Sequence, residues 1–344
     1  MVNTKSLKIF LTLILFGCLF FSYQVEANEG AGFSIELELP KNQKKGPTQY
    51  FDLNALPDEK QIVTLYIVND SSNVEDFDLV ITDAATNSRG VIEYTNKDAT
   101  KQVLEHRRLT EITSIQEKAT VKKGESQAIK IEINHPKNSY EGVILGGIHI
   151  SPNLSEMEKK NPGYSNLFTR SVAIQLNGSE LDKNFDLKLQ NMEKDNDAEG
   201  FTINNLLTNK APILLKNTKL NQKIINKKSK KIIFEENQKV DIAPSADFYL
   251  PIMLEKKLSS GLYEMILTFE NEEGDRRFNQ EIRQTFKIDG EQVILVHRTW
   301  YWLFILIIIL LLIYIAYRKY KEKETLDEPN SEGNLQVIES ENTE

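Results

Sequence analysis

Residues 129–133 read Ile-Lys-Ile-Glu-Ile. Three β-branched apolar residues alternate with two charged ones, and a period of two puts the isoleucines on one face of an extended strand. Lys130 and Glu132 belong to the other face, toward solvent. A half-buried strand of this kind is typical of antiparallel sheets and must lay its apolar side on a second layer. The pattern recurs upstream. Ile35, Leu37 and Leu39 are separated by Glu36 and Glu38; Val63, Leu65 and Ile67 share a face; Phe77, Leu79 and Ile81 alternate with Asp78 and Val80. Turn signals fall between these runs at Asn69-Asp70-Ser71-Ser72, Asn87-Ser88-Arg89-Gly90 and Lys122-Lys123-Gly124. Strands at this spacing predict a β-sandwich.

Residues 98–116 break the pattern. Either Asp98 caps a short helix through Arg108, or the stretch is one long loop. Residues 152–164, SPNLSEMEKKNPG, are polar and carry Pro152, Pro162 and Gly163, which marks a boundary or a long hairpin. Beyond it the β pattern resumes in Phe185/Leu187/Leu189, Phe248/Leu250/Ile252, Tyr263/Met265/Leu267/Phe269 and Phe278/Ile282/Phe286/Ile288. Pro244 and Pro251 suit a strand entry or an edge, because proline donates nothing to a central ladder. The expected folded units are 28–152 and 165–292, with 153–164 as linker or hairpin.

Both ends of the chain differ from this interior. Lys5 and Lys8 precede an apolar run from Ile9 to Phe21, followed by Val25-Glu26-Ala27. Residues 1–27 are therefore read as a signal peptide cut after Ala27, the alternative being a retained anchor. Residues 300–317, WYWLFILIIILLLIYIAY, hold no charge. At about 1.5 Å per residue they span about 27 Å, the depth of a bilayer core. Twelve of them are Leu, Ile or Phe, which supplies about -4 to -7 kcal/mol for insertion. Trp300, Tyr301 and Trp302 suit one interface, and Tyr314, Tyr317 and Tyr320 the other. Arg318, Lys319, Lys321 and Lys323 follow, so the C-terminus is expected in the cytoplasm. The tail, 318–344, has 4 basic and 8 acidic residues and reads as disordered.

The chain has 344 residues, 40% of them hydrophobic, with one Cys and a net charge of -8. This apolar content fills a core, so disorder throughout is excluded. The acidity excludes nucleic-acid binding by bulk charge. One cysteine excludes a disulfide framework, and cleavage after Ala27 removes it. The charge divides into +1 before residue 28, -5 over residues 28–299 and -4 beyond residue 317.

No catalytic constellation is found: no Gly-x-Ser-x-Gly elbow, no His-Glu-x-x-His and no Gly-rich phosphate loop. His106, His135, His149 and His297 stand apart from one another. Asp76/Asp78 and Glu272/Glu273 have carboxylates for glycoside hydrolysis in principle, but alternation with apolar residues assigns them to solvent. Catalytic residues, metal sites and cofactors are all expected to be none. With both Trp residues in the apolar segment, any sugar stacking falls to Tyr50, Phe51, Tyr94 or Tyr140. Lys227, Lys228, Lys230 and Lys231 form a basic cluster below Lys216, Lys219 and Lys223. It suits a polyanion or a membrane surface; the alternative is a charged hairpin between Leu220–Ile225 and Ile232–Phe234.

Several stretches carry a resemblance. These are Leu39-Pro40-Lys41-Asn42-Gln43 with Tyr50-Phe51-Asp52-Leu53, Ala85-Thr86-Asn87 with Gly90-Val91-Ile92-Glu93-Tyr94, and Gly142-Val143-Ile144-Leu145-Gly146-Gly147-Ile148. Further on come Ile242-Ala243-Pro244-Ser245 leading into Phe248-Tyr249-Leu250-Pro251-Ile252, and Gly261-Leu262-Tyr263. In this order the chain resembles the WxL-interacting proteins of Gram-positive bacteria over about residues 33–290. One departure is Ser245-Ala246, where an Asn is expected after the proline.

The resemblance implies an all-β fold of two tandem immunoglobulin-like β-sandwich domains followed by one transmembrane helix. The first domain is implied to bind peptidoglycan and the second a host extracellular protein, with WxL-domain surface proteins as partners. Residues 28–299 contain no Trp-x-Leu. Leu56-Pro57-Asp58-Glu59 lacks the Gly of a sortase motif, so retention at the surface falls to the helix. Asn42, Gln43, Tyr50, Phe51, Asp52, Thr86, Asn87 and Tyr94 are the candidate peptidoglycan or partner positions. Lys227, Lys228, Lys230 and Lys231 are the candidate polyanion patch. The expected role is a non-enzymatic, membrane-anchored scaffold or adhesin; the alternatives are a wall-modifying enzyme with an unrecognised carboxylate site and a receptor-like sensor.

Overall fold

The computed structural model describes residues 32–153, 167–181, 186–195, 200–273, 276–296 and 299–326. The expected signal peptide, residues 154–164 of the expected linker, Phe185, His297 and residues 327–344 of the tail lie outside the described residues.

Ten strands cover the first part: β1 Phe33–Glu38, β2 Phe51–Asn54, β3 Lys60–Asn69, β4 Glu75–Asp83, β5 Ala85–Thr86, β6 Ile92–Glu93, β7 Thr113–Ser114, β8 Lys118–Val121, β9 Ser126–Asn134 and β10 Val143–Pro152. Then come β11 Arg170–Asn177, β12 Leu187–Asp195, β13 Phe201–Asn209, β14 Leu215–Asn226, β15 Ile232–Ile242, β16 Ala246–Leu254, β17 Gly261–Glu273, β18 Arg276–Asp289 and β19 Gln292–Leu295, followed by the helix α1, Thr299–Leu326.

The first sandwich stacks a sheet ordered β1-β3-β9-β7 on one ordered β2-β11-β10-β4-β8. Ile129, Ile131 and Ile133 are fully buried between them, with Ile131 opposite Val63 and Ile129 opposite Leu65 across the antiparallel β3–β9 ladder. Each such side chain contributes about 1.5–3 kcal/mol by leaving water. Leu39 is the exception to its run. It follows the last residue of β1 and is exposed.

The expected second unit begins too early. β11 lies within 165–292, yet it pairs antiparallel with β10 and parallel with β2, inside the first sandwich. Val172, Ile174 and Leu176 alternate into its core. β10 and β11 are thus successive antiparallel strands of one sheet. The second sandwich begins with β12.

The 98–116 stretch is neither one helix nor one loop. Two 3-10 turns, Lys97–Lys101 and Leu109–Glu111, sit within an excursion between β4 and β7. The cap is Asn96, whose side chain accepts from the Asp98 backbone N–H at 2.9 Å. Asp98 instead pairs with Lys101 at 2.7 Å. The fully buried Asp83 carboxylate ties the excursion down. It accepts from Thr100 Oγ1 at 2.7 Å and from the hydroxyl and N–H of Thr110 at 2.6 and 3.1 Å. Gly146 and Gly147 on β10 leave room for it: a Cβ on Gly146 would sit 2.7 Å from Leu109 Cδ2, and one on Gly147 3.0 Å from Tyr94 Cδ1.

The second sandwich stacks β12-β13-β16 on β15-β14-β17-β18-β19. The alternating sets Phe248/Leu250/Ile252, Tyr263/Met265/Leu267/Phe269 and Phe286/Ile288 fill its core, and the Tyr263 and Phe286 rings stack at 5.6 Å. Pro251 lies on β16, an outer strand, and Pro244 precedes it, as proline chemistry requires. α1 is long and apolar enough over Leu303–Lys321, with mean hydropathy 2.1, to cross a membrane. It runs on to Leu326, so the first nine residues of the expected tail are helical.

Candidate functional site

The two sandwiches share a hydrogen-bonded seam. Thr86 Oγ1 donates to Asp241 O at 2.9 Å and accepts from Ala243 N at 2.9 Å. Backbone bonds run from Asp241 N to Gly90 O, from Leu104 N to Ser245 O, from Asp247 N to Gln102 O and from Val143 N to Pro212 O, all at 2.7–2.8 Å. Val103, Ala243 and Ala246 form a small apolar cluster within it, with Ile92 against them. Gly142 meets Pro212 so closely, at φ +76°, that a Cβ would stand 2.2 Å from Pro212 O. Only glycine fits both the left-handed backbone and that approach.

A cleft of 610 Å³ opens along this seam. Tyr50 and Asp52 line it from the first sandwich, together with Lys44, Gln175 and Asn177; Pro212, Ile213, Lys216 and Phe278 line it from the second. The polar groups form a chain. Gln175 Nε2 donates to Asn177 Oδ1 at 2.9 Å, and Asn177 Nδ2 donates to Asp52 Oδ1 at 2.7 Å and to Leu53 O at 2.9 Å. Lys216 Nζ stands 5.5 Å from the Tyr50 ring centroid, a cation–π distance. Burial first, and then the Asp52 charge, raises the Tyr50 phenol above its usual range, so it remains a neutral hydrogen-bond donor at ordinary pH. Two carboxylates, Asp52 and Glu180, two amides, two ammonium groups and a phenol thus converge on one opening.

The remaining first-domain candidates take structural places. Phe51 is fully buried and packs in the core. Gln43 folds its loop: Nε2 donates to Pro47 O and Tyr50 O at 3.0 and 3.2 Å, while Oε1 accepts from Asp52 N at 3.1 Å. Asn42 Nδ2 donates to Asn54 O at 2.8 Å, and Asn42 Oδ1 accepts from Gln61 Nε2 at 2.7 Å. His135 continues this network with Nε2 2.9 Å from Gln61 Oε1, and its Nδ1 accepts from Leu56 N at 3.4 Å. Burial lowers the His135 pKa, opposed in part by the Glu59 charge.

Thr86 is buried in the seam and Asn87 shapes the β5–β6 turn, its Oδ1 accepting from Arg89 N and Val91 N at 3.0 and 3.2 Å. Both line a second, smaller seam cleft of 230 Å³, facing Tyr249 of the other sandwich. Tyr94 packs on β10, and burial pushes its phenol up to about 12. Tyr140 is likewise pushed up to about 12 by burial and has Arg107 5.6 Å from its ring centroid. Asp76 and Asp78 accept from Thr120 and Asn153 side chains. Among the described residues no group of three or more His, Cys, Asp or Glu gathers as metal ligands would.

The lysine cluster forms the tip of the β14–β15 hairpin, as one of its two readings expected. Asn226 Oδ1 accepts from Lys228 N and Ser229 N at 3.0 and 2.9 Å, and Lys230 takes the left-handed conformation at φ +59°. Lys227 pairs with Glu264 at 3.3 Å. Lys228, Lys230 and Lys231 form no ion pair with a described residue.

Sequence reasoning missed Gln175, Asn177 and Pro212 altogether, and placed Lys216 only as an upstream neighbour of the cluster. β11 supplies two of them to the first sandwich from beyond the expected boundary.

A family description, WxL Interacting Protein, peptidoglycan binding domain, matches residues 33–152. A second, WxL Interacting Protein, host binding domain, matches residues 159–294. Among curated proteins no sequence matches the chain. Solved structures similar to it include a chain of a chaperone–tip adhesin complex of CFA/I fimbriae biogenesis, at 11% identity and TM-score 0.32, covering 74% of this chain and 98% of that one. The E. coli chaperone DraB aligns at 11% identity and TM-score 0.27, covering 73% and 98%. The Pseudomonas aeruginosa CupB2 chaperone aligns at 10% and 0.26, covering 67% and 96%.

Proposed function

Because the chain belongs to the WxL-interacting protein family, we propose that it is a non-enzymatic surface protein whose first domain binds peptidoglycan in the seam cleft. Its second domain engages a WxL-domain surface protein or a host extracellular protein. α1 spans the membrane once, with the sandwiches on the wall side and Arg318, Lys319 and Lys321 on the cytoplasmic side.

The observation that supports wall binding is the convergence on one cleft of Asp52, from the stretch matched as peptidoglycan binding, with Gln175, Asn177 and Lys216, from the stretch matched as host binding. Peptidoglycan combines hydroxyls, amides and carboxylates. Gln175 and Lys44 hydrogen-bond to the first two, Lys216 pairs with the third, and the Tyr50 ring offers a sugar the face that Lys216 leaves open. A partner protein has a separate surface in β16. It is an outer strand whose start is bonded to the first sandwich at the seam and whose Met253, farther along, is 72% exposed, which suits strand addition beyond the seam.

The test is co-sedimentation of the full chain, in detergent, with purified peptidoglycan. Lys216→Ala and Gln175→Ala remove cleft groups that are only partly buried or exposed. Each is expected to weaken binding about tenfold, the worth of one charge-assisted hydrogen bond, with an unchanged melting temperature. Unchanged binding by both variants would rule the cleft out.

A further inference from the structure

We propose that the outward face of the β15-β14-β17-β18-β19 sheet, at its end far from the seam, lies on the surface of the bilayer that α1 crosses. The proposal rests on the reading of α1 as the membrane anchor.

The face follows from register. Residues paired directly across neighbouring strands point to the same side of a sheet. One row runs Ile232, Ile225, Glu264, Thr285, with Val296 N bonded to Thr285 O beyond it. The next row, farther from the seam, runs Leu262, Lys287, Ile294. Ile232 is 54%, Leu262 48%, Ile294 41% and Val296 39% exposed. These aliphatic side chains form an unpartnered patch on a sheet whose other face fills the core. The β14–β15 tip projects beside it with Lys228, Lys230 and Lys231, which pair with no described acid.

Covalent distance places this patch at the membrane. Val296 precedes Thr299, the first residue of α1, by three residues, about 11 Å of chain at full extension. Adjacent strands are about 4.8 Å apart, so Leu262 lies about 10 Å from Ile294 along its row. The seam is at the other end of β14, near Leu215, some eleven residues and about 36 Å away. The anchored end of the sheet is therefore held close to the bilayer while the seam is held away from it.

Composition favours lipid over protein as the occupant. Protein interfaces are depleted in lysine and centre on aromatic anchors. This face has aliphatic residues and lysines, its Glu264 and the nearby Asp289 being paired with Lys227 and Lys287; the stems of Lys228, Lys230 and Lys231 lie along apolar surface while their ammonium groups reach the anionic head groups.

The experiment uses the full chain with Cys18→Ser, reconstituted into vesicles of phosphatidylcholine with or without phosphatidylglycerol. An environment-sensitive dye is attached at Leu262→Cys or, as control, at Lys41→Cys. Nitroxide-labelled head-group lipid is expected to quench the dye at 262 and not at 41. The triple variant Lys228→Gln, Lys230→Gln, Lys231→Gln is expected to lower quenching in phosphatidylglycerol vesicles, each lysine shifting the docked ratio about fivefold. High salt should act the same way. A chain retained after an alkaline wash but unquenched at 262 overturns the proposal and leaves the anchor standing. Disulfide formation between 262 positions of two copies, without quenching, overturns it in favour of a chain–chain contact. Release by the wash overturns the anchor reading and the proposal together.

Discussion

The two sandwiches handle buried polar groups alike at two strand ends and differently elsewhere. Each closes a strand with a fully bonded asparagine. Asn69 donates to Asn73 O and Val121 O, both at 2.8 Å, and accepts from Ser71 N at 2.9 Å. Asn209 donates to Ile213 O and Ala243 O at 3.1 and 2.9 Å and accepts from Ala211 N at 3.1 Å. Elsewhere they part. The first sandwich buries the Asp83 carboxylate with three donors that fix the 98–116 excursion. Among the described residues the second buries Gln222 with neither amide atom bonded and Thr202 Oγ1, Asn205 Oδ1 and Asn271 Oδ1 without partners, against Thr113 Oγ1 and Tyr140 OH in the first. A satisfied buried group fixes position, whereas an unsatisfied one costs stability. The first sandwich thus uses its buried carboxylate to place a loop at the seam, whereas the second buries a whole amide that bonds nothing among the described residues.

The strongest way to break this comparison is to move the boundary. A chain cut after Pro152 loses β11, and with it Val172, Ile174 and Leu176, all 4% exposed or less. At about 1.5–3 kcal/mol each, that is about 5–9 kcal/mol, comparable to the whole stability of an ordinary domain. Residues 33–152 are expected to show no cooperative unfolding transition, and residues 33–181 to show one, by near-ultraviolet circular dichroism. Next in size is Asp83→Ala, which orphans Thr100 and Thr110 and is expected to cost the first sandwich about 3 kcal/mol in a denaturant melt. Gln222→Met has the opposite sign. It removes two unbonded buried atoms and is expected to stabilise the second sandwich by about 1–2 kcal/mol.

The smallest effect separates the sandwiches by pH. Burial lowers the pKa of His135, and burial followed by the Lys97 charge lowers that of His149, both from 6.5. Above pH 6.5 both states are neutral and stability is full. Below it the unfolded chain takes up protons that the folded first sandwich resists, so stability falls until the folded pKa values are passed. The second sandwich has no histidine among the described residues. Its transition is expected to hold steady from pH 7 to about pH 5.5 while the first one falls, and His135→Gln should flatten part of that fall.

Alternation made the strands legible because burial on one face is a local property. Sheet membership is not local. Val172, Ile174 and Leu176 alternate as clearly as Ile129, Ile131 and Ile133, but the polar stretch before them reads equally as a boundary or a long hairpin, and nothing local says that β11 returns to β10 and β2. The cleft was half legible for the same reason. Tyr50 and Asp52 sit in a recognisable motif, whereas Gln175, Asn177 and Lys216 join them only through tertiary closure. Several motif positions encode backbone geometry instead of contact with a ligand. Gln43 and Asn87 bond their own loops, and Ser245, where Asn was expected, stands at φ +50°, a conformation that asparagine tolerates better than serine does.

The central claim is that both sandwiches build one binding cleft. Hydrogen exchange of the full chain, with and without a soluble peptidoglycan fragment, tests it most directly. The expected result is slowed exchange at residues 52–54 and 175–179 of the first sandwich together with 213–216 of the second. Protection confined to one sandwich, or absent from the seam altogether, would contradict it.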